Sequence, residues 1–560
     1  MNALALSLLL AAAHPAENRI TNHLIIHDYP SACLEAEQAF AEKPSVELFE
    51  LYIEALAKQG NEAQLWAVWN KYSPKYPEVK QKREVLEQIA WGVLTQGVHS
   101  SSPLLRVQGL IAAYFAQDAK GVALLLKGMH DNSAMVRRVA IKLSASMRDA
   151  KLQDQVQAAL KDKNYDVRLA AITAVGGMHL HAAKGELLRL LALPAITPEE
   201  TEAAVAALVE MTEAMDRGEI ERLIQSPRYG LRLLGCGAIR FLESKRDIDL
   251  IQQLVNDPQP IVRAAALRTL GLLRAPGLGA GANSRLNDNN PAVAITAAWG
   301  LTLEEPEKGQ SAFLPWLSHD EKEVRHLAAA ALSATGKHGL SLQKKTFYKS
   351  SDPFVRMNLA MGLICQREDV GQACRALAEG LSANSEKWEL AEESDFKILR
   401  ISQVRQDEAP GNSKEAQNQL ARLQILNILA IMQYPETAAS IRDFLKERAW
   451  GISGMASALL LSEGDESALD RVEELINDED RAVRTQAALI LALWGRSEKA
   501  IQTLEKGYAE ADREMKEHIL EGIGRVGSLS SVPFLLERLQ EPFQSLRIIA
   551  AAALLECLYH

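Results

Sequence analysis

The stretch that decides the fold is Asn256 to Gly271, which reads NDPQPIVRAAALRTLG. Asp257 is suited to cap a helix, and Pro260 is suited to the first helical turn. The Ala, Leu and Arg residues that follow favour helix. The stretch therefore predicts a turn followed by the front of a helix.

The same pattern recurs along the chain at a nearly constant interval. An Asp followed five residues later by Val and then by Arg stands at Asp131, Asp162, Asp257 and Asp478. With the Val-like position as a marker, neighbouring markers are 31 or 32 residues apart, except for one step of 66. A fixed period of this size indicates a solenoid. The sequence thus predicts an all-α, right-handed α-solenoid of about fourteen helix-pair repeats, with markers Leu105, Val136, Val167, Glu199, Leu231, Val262, Val293, Val324, Val355, Ala421, Ile452, Val483, Met515 and Leu546.

The repeat resembles the HEAT repeat, in the short bacterial form also seen in phycobilisome-lyase-like proteins. The resemblance covers roughly residues 98–560 and lies in the turn Asp, the Arg six residues later and a small residue four after the marker, such as Ala266. Ser226, Ala294 and Leu359 depart from these three positions. The resemblance and the spacing together imply that each Arg reaches the Asp of the next repeat. The residues of this ladder are Asp131, Arg137, Asp162, Arg168, Asp257, Arg263, Asp478 and Arg484.

Composition limits the classes of function. Apolar residues make up 48% of the chain and aromatic residues 5%, which fits closely stacked helices. The net charge of −10 argues against binding to duplex nucleic acid, because that needs a basic face. The cysteines show no paired metal or redox spacing, and the positions of Cys236, Cys365 and Cys557 after their markers predict buried residues within helices.

The chain divides into five segments. Residues 1–16 resemble a secretory signal peptide, which favours export to the periplasm over a cytoplasmic location, although no basic residue precedes the apolar run. The alternative is a first solenoid helix. Residues 17–97 are expected to form an N-terminal helical cap that begins with a lead-in segment and is similar to a tetratricopeptide hairpin. HEAT-like repeats are expected over 98–381 and 414–560, and no stretch is long enough for a transmembrane helix.

Residues 382–413 form an insertion within one repeat. Its apolar residues, among them Phe396 and Ile398, predict a short strand or hairpin arm. Insertions in repeat proteins often lie on the binding face, and the alternative is an excursion without a role. The other expected contact surface is the concave one lined by inner helices. Candidate partner-binding residues are the expected exposed positions Arg138, Lys142, Arg240, Arg268, Trp299 and His326, and Trp388, Phe396 and Arg400 of the insertion.

No catalytic motif is present. The sequence has no Gly-x-Ser-x-Gly elbow, no Walker loop and no His-Glu-x-x-His, and its two close His pairs lack a third metal ligand. We therefore expect no catalytic residue, no cofactor and no metal. The predicted function is a non-catalytic scaffold for an unidentified protein partner, without nucleic acid. The alternatives are an accessory or lyase-like role on a partner protein, and nucleic-acid handling in a HEAT-type groove.

Overall fold

The computed structural model describes the positions 15–115, 119–147, 149–383, 387–402, 414–435, 439, 442, 472–493 and 497–559. Two compact units are present. Unit 1 comprises Met1–Ala171 and Ala487–His560, and unit 2 comprises Ile172–Gln486.

Helices account for nearly all of the described structure. The first are α1 (Ala16–Ile25), α2 (Tyr29–Glu42), α3 (Val46–Gln59), α4 (Glu62–Tyr72), α5 (Arg83–Val98), α6 (Pro103–Phe115), α7 (Ala119–Met129), α8 (Ala134–Ser144), α9 (Ala150–Ala158) and α10 (Tyr165–Gly177). They are followed by α11 (Lys184–Ala192), α12 (Pro198–Glu210), α13 (Arg217–Ile224), α14 (Tyr229–Phe241), α15 (Ile248–Leu254), α16 (Pro260–Leu272), α17 (Leu278–Arg285), α18 (Pro291–Glu304), α19 (Pro306–Leu317), α20 (Lys322–Ser333), α21 (Leu340–Lys349), α22 (Pro353–Cys365) and α23 (Val370–Ala383). The remaining elements are β1 (Trp388–Glu393), β2 (Phe396–Ile401), α24 (Lys414–Ile431), α25 (Arg481–Leu493), α26 (Glu498–Tyr508), α27 (Arg513–Val526), α28 (Val532–Arg538) and α29 (Gln544–Tyr559).

The helices alternate as the sequence period predicts. Among the described residues, the marker lies near the start of the second helix of a pair, as Val262 does in α16, except that Ala421 lies further along α24. Helix α16 begins at Pro260 and ends at Leu272, so the deciding stretch forms the predicted turn and helix. The prediction of an all-α helix-pair repeat fold is confirmed.

The core is built from the apolar faces of both helices of each pair, and the second helices contribute a regular stripe. In α16, Val262, Ala266 and Leu270 are buried at the expected helical spacing. Small residues at the middle position allow adjacent helices to approach closely, while the larger ones fill the space between layers. Burial of apolar area, at roughly 25 cal/mol per Å², is the main source of stability.

Paired Asp and Arg side chains join consecutive repeats. In unit 1, Arg137 donates to both carboxylate oxygens of Asp162, with each nitrogen–oxygen distance 2.9 Å. These hydrogen bonds hold the pKa of Asp162 below its ordinary value. In unit 2, Arg263 contacts Asp288 in the same way, at 2.8 and 2.7 Å. The contact between one repeat's Arg and the next repeat's Asp is therefore present in both units.

Each of these arginines also binds the turn of its own repeat through a backbone oxygen. Arg263 Nη1 donates to the carbonyl of Asp257 at 2.8 Å, and Arg232 Nη1 donates to the carbonyl of Ser226 at the same distance. Because the acceptor is a backbone oxygen, the turn residue need not be Asp for this contact. Arg232 therefore reaches Asp257 although Ser226 replaces the turn Asp of its own repeat. Ser226 offers no carboxylate to the repeat before it, where Glu200 stands at the Arg position.

Within unit 1, the second helix of the last repeat packs against two helices from the N-terminal part of the chain. Helix α29 contacts α5 and α6, and Ile548 of α29 lies against Gly97. Arg547 follows the marker Leu546 and binds the carbonyl of Glu541 at 2.9 Å, as a ladder Arg does. Its Nε forms an ion pair with Glu62 of α4 at 2.9 Å. Glu62 is thus the acidic partner of Arg547, but their contact is an ion pair without the two hydrogen bonds that a ladder Asp accepts.

Loss of this ion pair is expected to destabilise unit 1. We predict that Arg547→Ala lowers the free energy of unfolding by about 2 kcal/mol, because a partly buried charge pair and two carbonyl bonds are lost. A double-mutant cycle with Glu62→Ala, measured by urea unfolding, should give a coupling energy of about 0.5–3 kcal/mol. A cycle of Arg547→Ala with Glu87→Ala is the control, since Glu87 pairs with Arg83. Equal coupling in both cycles would contradict the contact.

Several expectations differ from the structure or lie beyond it. Helix α1 occupies most of the predicted lead-in segment, and Cys365, predicted to be buried, is exposed at the end of α22. The signal-like residues 1–14, the marker Ile452 and residues 403–413 of the insertion lie outside the described residues.

Candidate interaction site

The insertion forms a β-hairpin that packs on the second helices of unit 2. Strands β1 and β2 pair antiparallel, with Trp388 opposite Ile401 and Glu393 opposite Phe396. The two turn residues, Ser394 and Asp395, have φ of 51° and 62°, as tight two-residue hairpin turns require. We refer to residues Trp388–Ile401 as the hairpin.

The turn of the hairpin is held by two arginines. Arg240 of α14 forms an ion pair with the Asp395 carboxylate. Arg268 of α16 donates from Nη2 to the Asp395 carbonyl at 3.3 Å. Two residues that the sequence singled out on different repeats therefore meet at one residue of the insertion.

Arg268 lies between two aromatic rings. Its guanidinium carbon is 4.1 Å from the ring centre of Trp299 and 4.2 Å from that of Phe396. Burial lowers the pKa of Arg268 to about 10, and its Nε and Nη1 find no acceptor among the described residues. Cation–π attraction to two rings offsets part of this desolvation.

Buried amide side chains satisfy the edges of the hairpin. Asn358 of α22 donates to the Leu399 carbonyl at 2.8 Å and accepts from the Leu399 amide at 3.0 Å. Asn418 of α24 accepts from the Trp388 amide at 2.9 Å. Both asparagines are buried, and sequence reasoning missed them. For Asn358 the sequence did contain a signal. It lies three residues after the marker Val355, and the same position after the marker Val262 is occupied by the apolar Ala265.

Trp388 anchors the other end of the hairpin. Its side chain is fully buried, its ring centre is 5.8 Å from that of Phe354, and Arg422 lies over it at 5.1 Å. Arg400, by contrast, stays within the hairpin and pairs with Glu389 at 2.6 Å.

The hairpin changes the exposure expected for the inner-helix candidates. Arg268, Trp299 and His326 were expected to be exposed, but they are 9%, 2% and 1% exposed. Phe396 covers Trp299, with 5.7 Å between ring centres. His326 lies against Phe354 and contacts Asp352 at 3.2 Å. The expectation of exposure was therefore wrong for these three residues.

The other two inner-helix candidates lie in unit 1. On α8, Arg138 is half-buried and Lys142 is exposed. The hairpin gathers Arg240, Arg268, Trp299, Trp388 and Phe396 into one region of unit 2, and Arg138 and Lys142 are not part of it.

A cleft of about 660 Å³ opens beside the hairpin turn. Its floor is formed by α12, α14 and α16, and residues 392–395 form one wall. Val205, Val209 and Leu233 are half-buried in it, and Ile261 is 39% exposed. Cys236 also borders the cleft, but burial raises the pKa of its thiol to about 12. The cleft therefore offers an apolar surface rather than a reactive thiol.

Two regions of the sequence match a known repeat family. The family model for HEAT repeats matches residues 122–211 and 470–556. The protein carries HEAT repeats. The first of these HEAT regions ends at Met211, one residue after α12, and so includes the helix that borders the cleft.

Solved structures similar to this HEAT-repeat protein share little sequence with it. Human deoxyhypusine hydroxylase is 18% identical, with a TM-score of 0.23, over 45% of this chain and 97% of that one. The UNC-45 chaperone is 12% identical, with a TM-score of 0.36, over 97% and 81%. The CpcE and CpcF complex of phycocyanin lyase from Nostoc sp. PCC7120 is 16% identical, with a TM-score of 0.23, over 54% and 95%. No curated protein matches the sequence.

The described part of this HEAT-repeat protein holds no group of three or more His, Cys, Asp or Glu side chains arranged to bind a metal ion. None of its described helices is long and apolar enough to cross a membrane.

Proposed function

We propose that the protein is a non-catalytic scaffold that binds a partner protein in the cleft formed by α12, α14, α16 and the hairpin turn. The observation that carries this proposal is a difference in exposure between two parts of the face formed by the second helices. The hairpin covers Trp299 and Arg268, whereas Ile261 on α16 remains 39% exposed at the cleft.

The lining of the cleft supports protein binding. An apolar floor bordered by polar groups is typical of interaction surfaces and binding clefts. The hairpin itself is a precedent, because helices of the same unit bind it through polar side chains. Asn358 and Asn418 bind its backbone, Arg240 pairs with the Asp395 carboxylate, and Arg268 lies against the Phe396 ring. The buried thiol of Cys236 supports a role without nucleophilic chemistry at this place.

Replacing Ile261 with aspartate should remove partner binding without unfolding the protein. The side chain is exposed in the first turn of α16, where a carboxylate is tolerated by the helix dipole. Buried in an apolar contact, the same carboxylate is unfavourable, so we expect at least about a tenfold loss of captured partner. The measurement is cross-linked affinity capture, from the cells that make the protein, with quantitative mass spectrometry.

The matched control is Leu314→Asp, which places a carboxylate at an exposed apolar residue of α19, a first helix of the same unit. It should leave capture unchanged. Equal capture by the intact chain and Ile261→Asp would overturn the proposal. A point change in the cleft is preferable to removing the insertion, because removal would uncover Trp299 and Arg268.

A further inference from the structure

The cleft carries an excess of negative charge. Its lining includes five carboxylates, Glu202, Glu210, Glu392, Glu393 and Asp395, and one guanidinium, Arg240. Five negative charges and one positive charge leave a formal charge of −4. Arg240 and Arg268, the arginines that α14 and α16 place here, both contact the hairpin turn, whereas the carboxylates line the cleft.

Asp395 and Glu393 are paired with arginines, and the buried Arg268 attracts Glu392 from a longer distance. Asp395 pairs with Arg240, and Glu393 lies 3.1 Å from Arg400. Glu210 and Glu392 are exposed and form no ion pair with a described residue. They belong to two different elements that border the cleft, because Glu210 is the last residue of α12 and Glu392 belongs to β1.

The C-terminal end of α12 adds to the negative electrostatic potential of the cleft. A helix C-terminus carries a partial negative charge from its unpaired carbonyl groups, and Glu210 lies there. The position would suit a cation, yet it holds a carboxylate. A cationic group on a bound partner would relieve both unfavourable interactions, and this favours basic over acidic ligands.

Apolar contact accompanies the charge. Ile261 is 39% exposed at the cleft, and Val205, Val209 and Leu233 are half-buried in the same lining. A volume of about 660 Å³ lies within the range of clefts that enclose several side chains or a small ligand. The lining thus combines apolar side chains with exposed carboxylates.

From this arrangement we propose that the cleft binds a basic segment of a partner protein, with apolar side chains on the floor and lysines or arginines next to them in its sequence. This inference rests on the proposed function, whose site it shares. The apolar side chains contact Ile261 and its neighbours, while the flanking cations approach Glu210 and Glu392. Charge complementarity sets the class of partner, and apolar burial supplies the affinity.

The test measures binding of fluorescent peptides to the full chain by anisotropy. One probe has a Leu-Phe-Leu centre between lysines, a second has the same centre between glutamates, and a third has a Ser-Gly-Ser centre between lysines. The first probe should bind most tightly, and its affinity should fall as salt rises. In Glu210→Gln with Glu392→Gln, its affinity should fall by about tenfold.

A matched double variant controls for a general loss of negative charge. Asp154→Asn with Glu307→Gln neutralises two exposed carboxylates outside the cleft and should leave the affinity unchanged. Circular dichroism and the thermal midpoint verify that each variant is folded. Equal affinity of the lysine and glutamate probes, or no effect of the cleft variant, overturns the inference.

The two proposals fail in different ways. If the glutamate probe binds and Ile261→Asp abolishes that binding, the partner's charge is wrong while the cleft remains the binding site. If Ile261→Asp changes neither peptide binding nor capture of the cellular partner, both proposals fail. If the Ser-Gly-Ser probe binds as tightly as the first probe, the apolar floor has no role and the inference is overturned.

Discussion

Replacing Asp257 with alanine is expected to lower the free energy of unfolding by about 3–5 kcal/mol. The Asp257 side chain is 2% exposed and pairs with Arg232, which is 10% exposed. Its Oδ1 also accepts from the Gln259 amide at 2.8 Å in the turn that precedes α16. Alanine leaves a buried guanidinium without its carboxylate and removes the turn contact. The large effect follows from the uncompensated charge.

The loss is measured by urea unfolding of the full chain. Asp249→Ala is the control, because Asp249 also pairs with an arginine, Arg217, but is 58% exposed. Exposed pairs contribute about 0–1 kcal/mol, so the control should change stability little. A loss below 1 kcal/mol for Asp257→Ala would show that the ladder does not stabilise the repeats. Asp257→Asn should be intermediate, since it keeps an acceptor and loses the charge.

Trp388→Ala is the second change with a large expected effect. Trp388 is fully buried and contacts Phe354 and Arg422, so its truncation is expected to cost about 3–5 kcal/mol. Because Trp388 stands at the start of β1, we also expect the hairpin to detach and become open to proteolysis. Urea unfolding measures the first effect, and mass spectrometry of a limited digest locates cleavage within residues 388–401.

Two control variants distinguish the loss of the hairpin's anchor from the general effect of removing a tryptophan ring. Trp316→Ala removes a partly exposed tryptophan of α19 and should cost less, with no cleavage in the hairpin. Lys397→Ala changes an exposed residue of β2 and should leave both the stability and the digest unchanged. A Trp388→Ala protein whose hairpin stays protected would show that Asn358, Asn418 and the two arginines suffice to hold it. If the hairpin detaches, binding in the cleft should weaken, since the turn forms one wall.

The arrangement of the site separates two uses of one helical face. Arg240 and Arg268 contact the chain's own insertion, and the neighbouring acidic and apolar groups remain available to another protein. The insertion predicted as a partner-binding arm is thus part of the structure that shapes the cleft. Whether its residues also touch the partner stays a prediction.

The sequence by itself determined the helix pairs and their period, and together with the resemblance to HEAT repeats it implied contacts such as Arg137 with Asp162. These features depend on signals within one repeat or between neighbours, such as the helix start at Pro260 and the 25-residue separation of Arg137 and Asp162. Local turn geometry and helical spacing are visible in a single repeat, so they are predictable from it.

Only the tertiary structure decided where the hairpin lies and what the last repeat contacts. Asp395 is 155 residues from Arg240, and Arg547 contacts Glu62 at the other end of the chain. Neither contact has a local signal, because each joins residues that are far apart in the sequence and many surfaces could pair with them. The repeat pattern places Trp299 and Arg268 on an open face of the helices. In the folded protein the hairpin packs on that face, so both residues are buried, while Ile261 remains exposed.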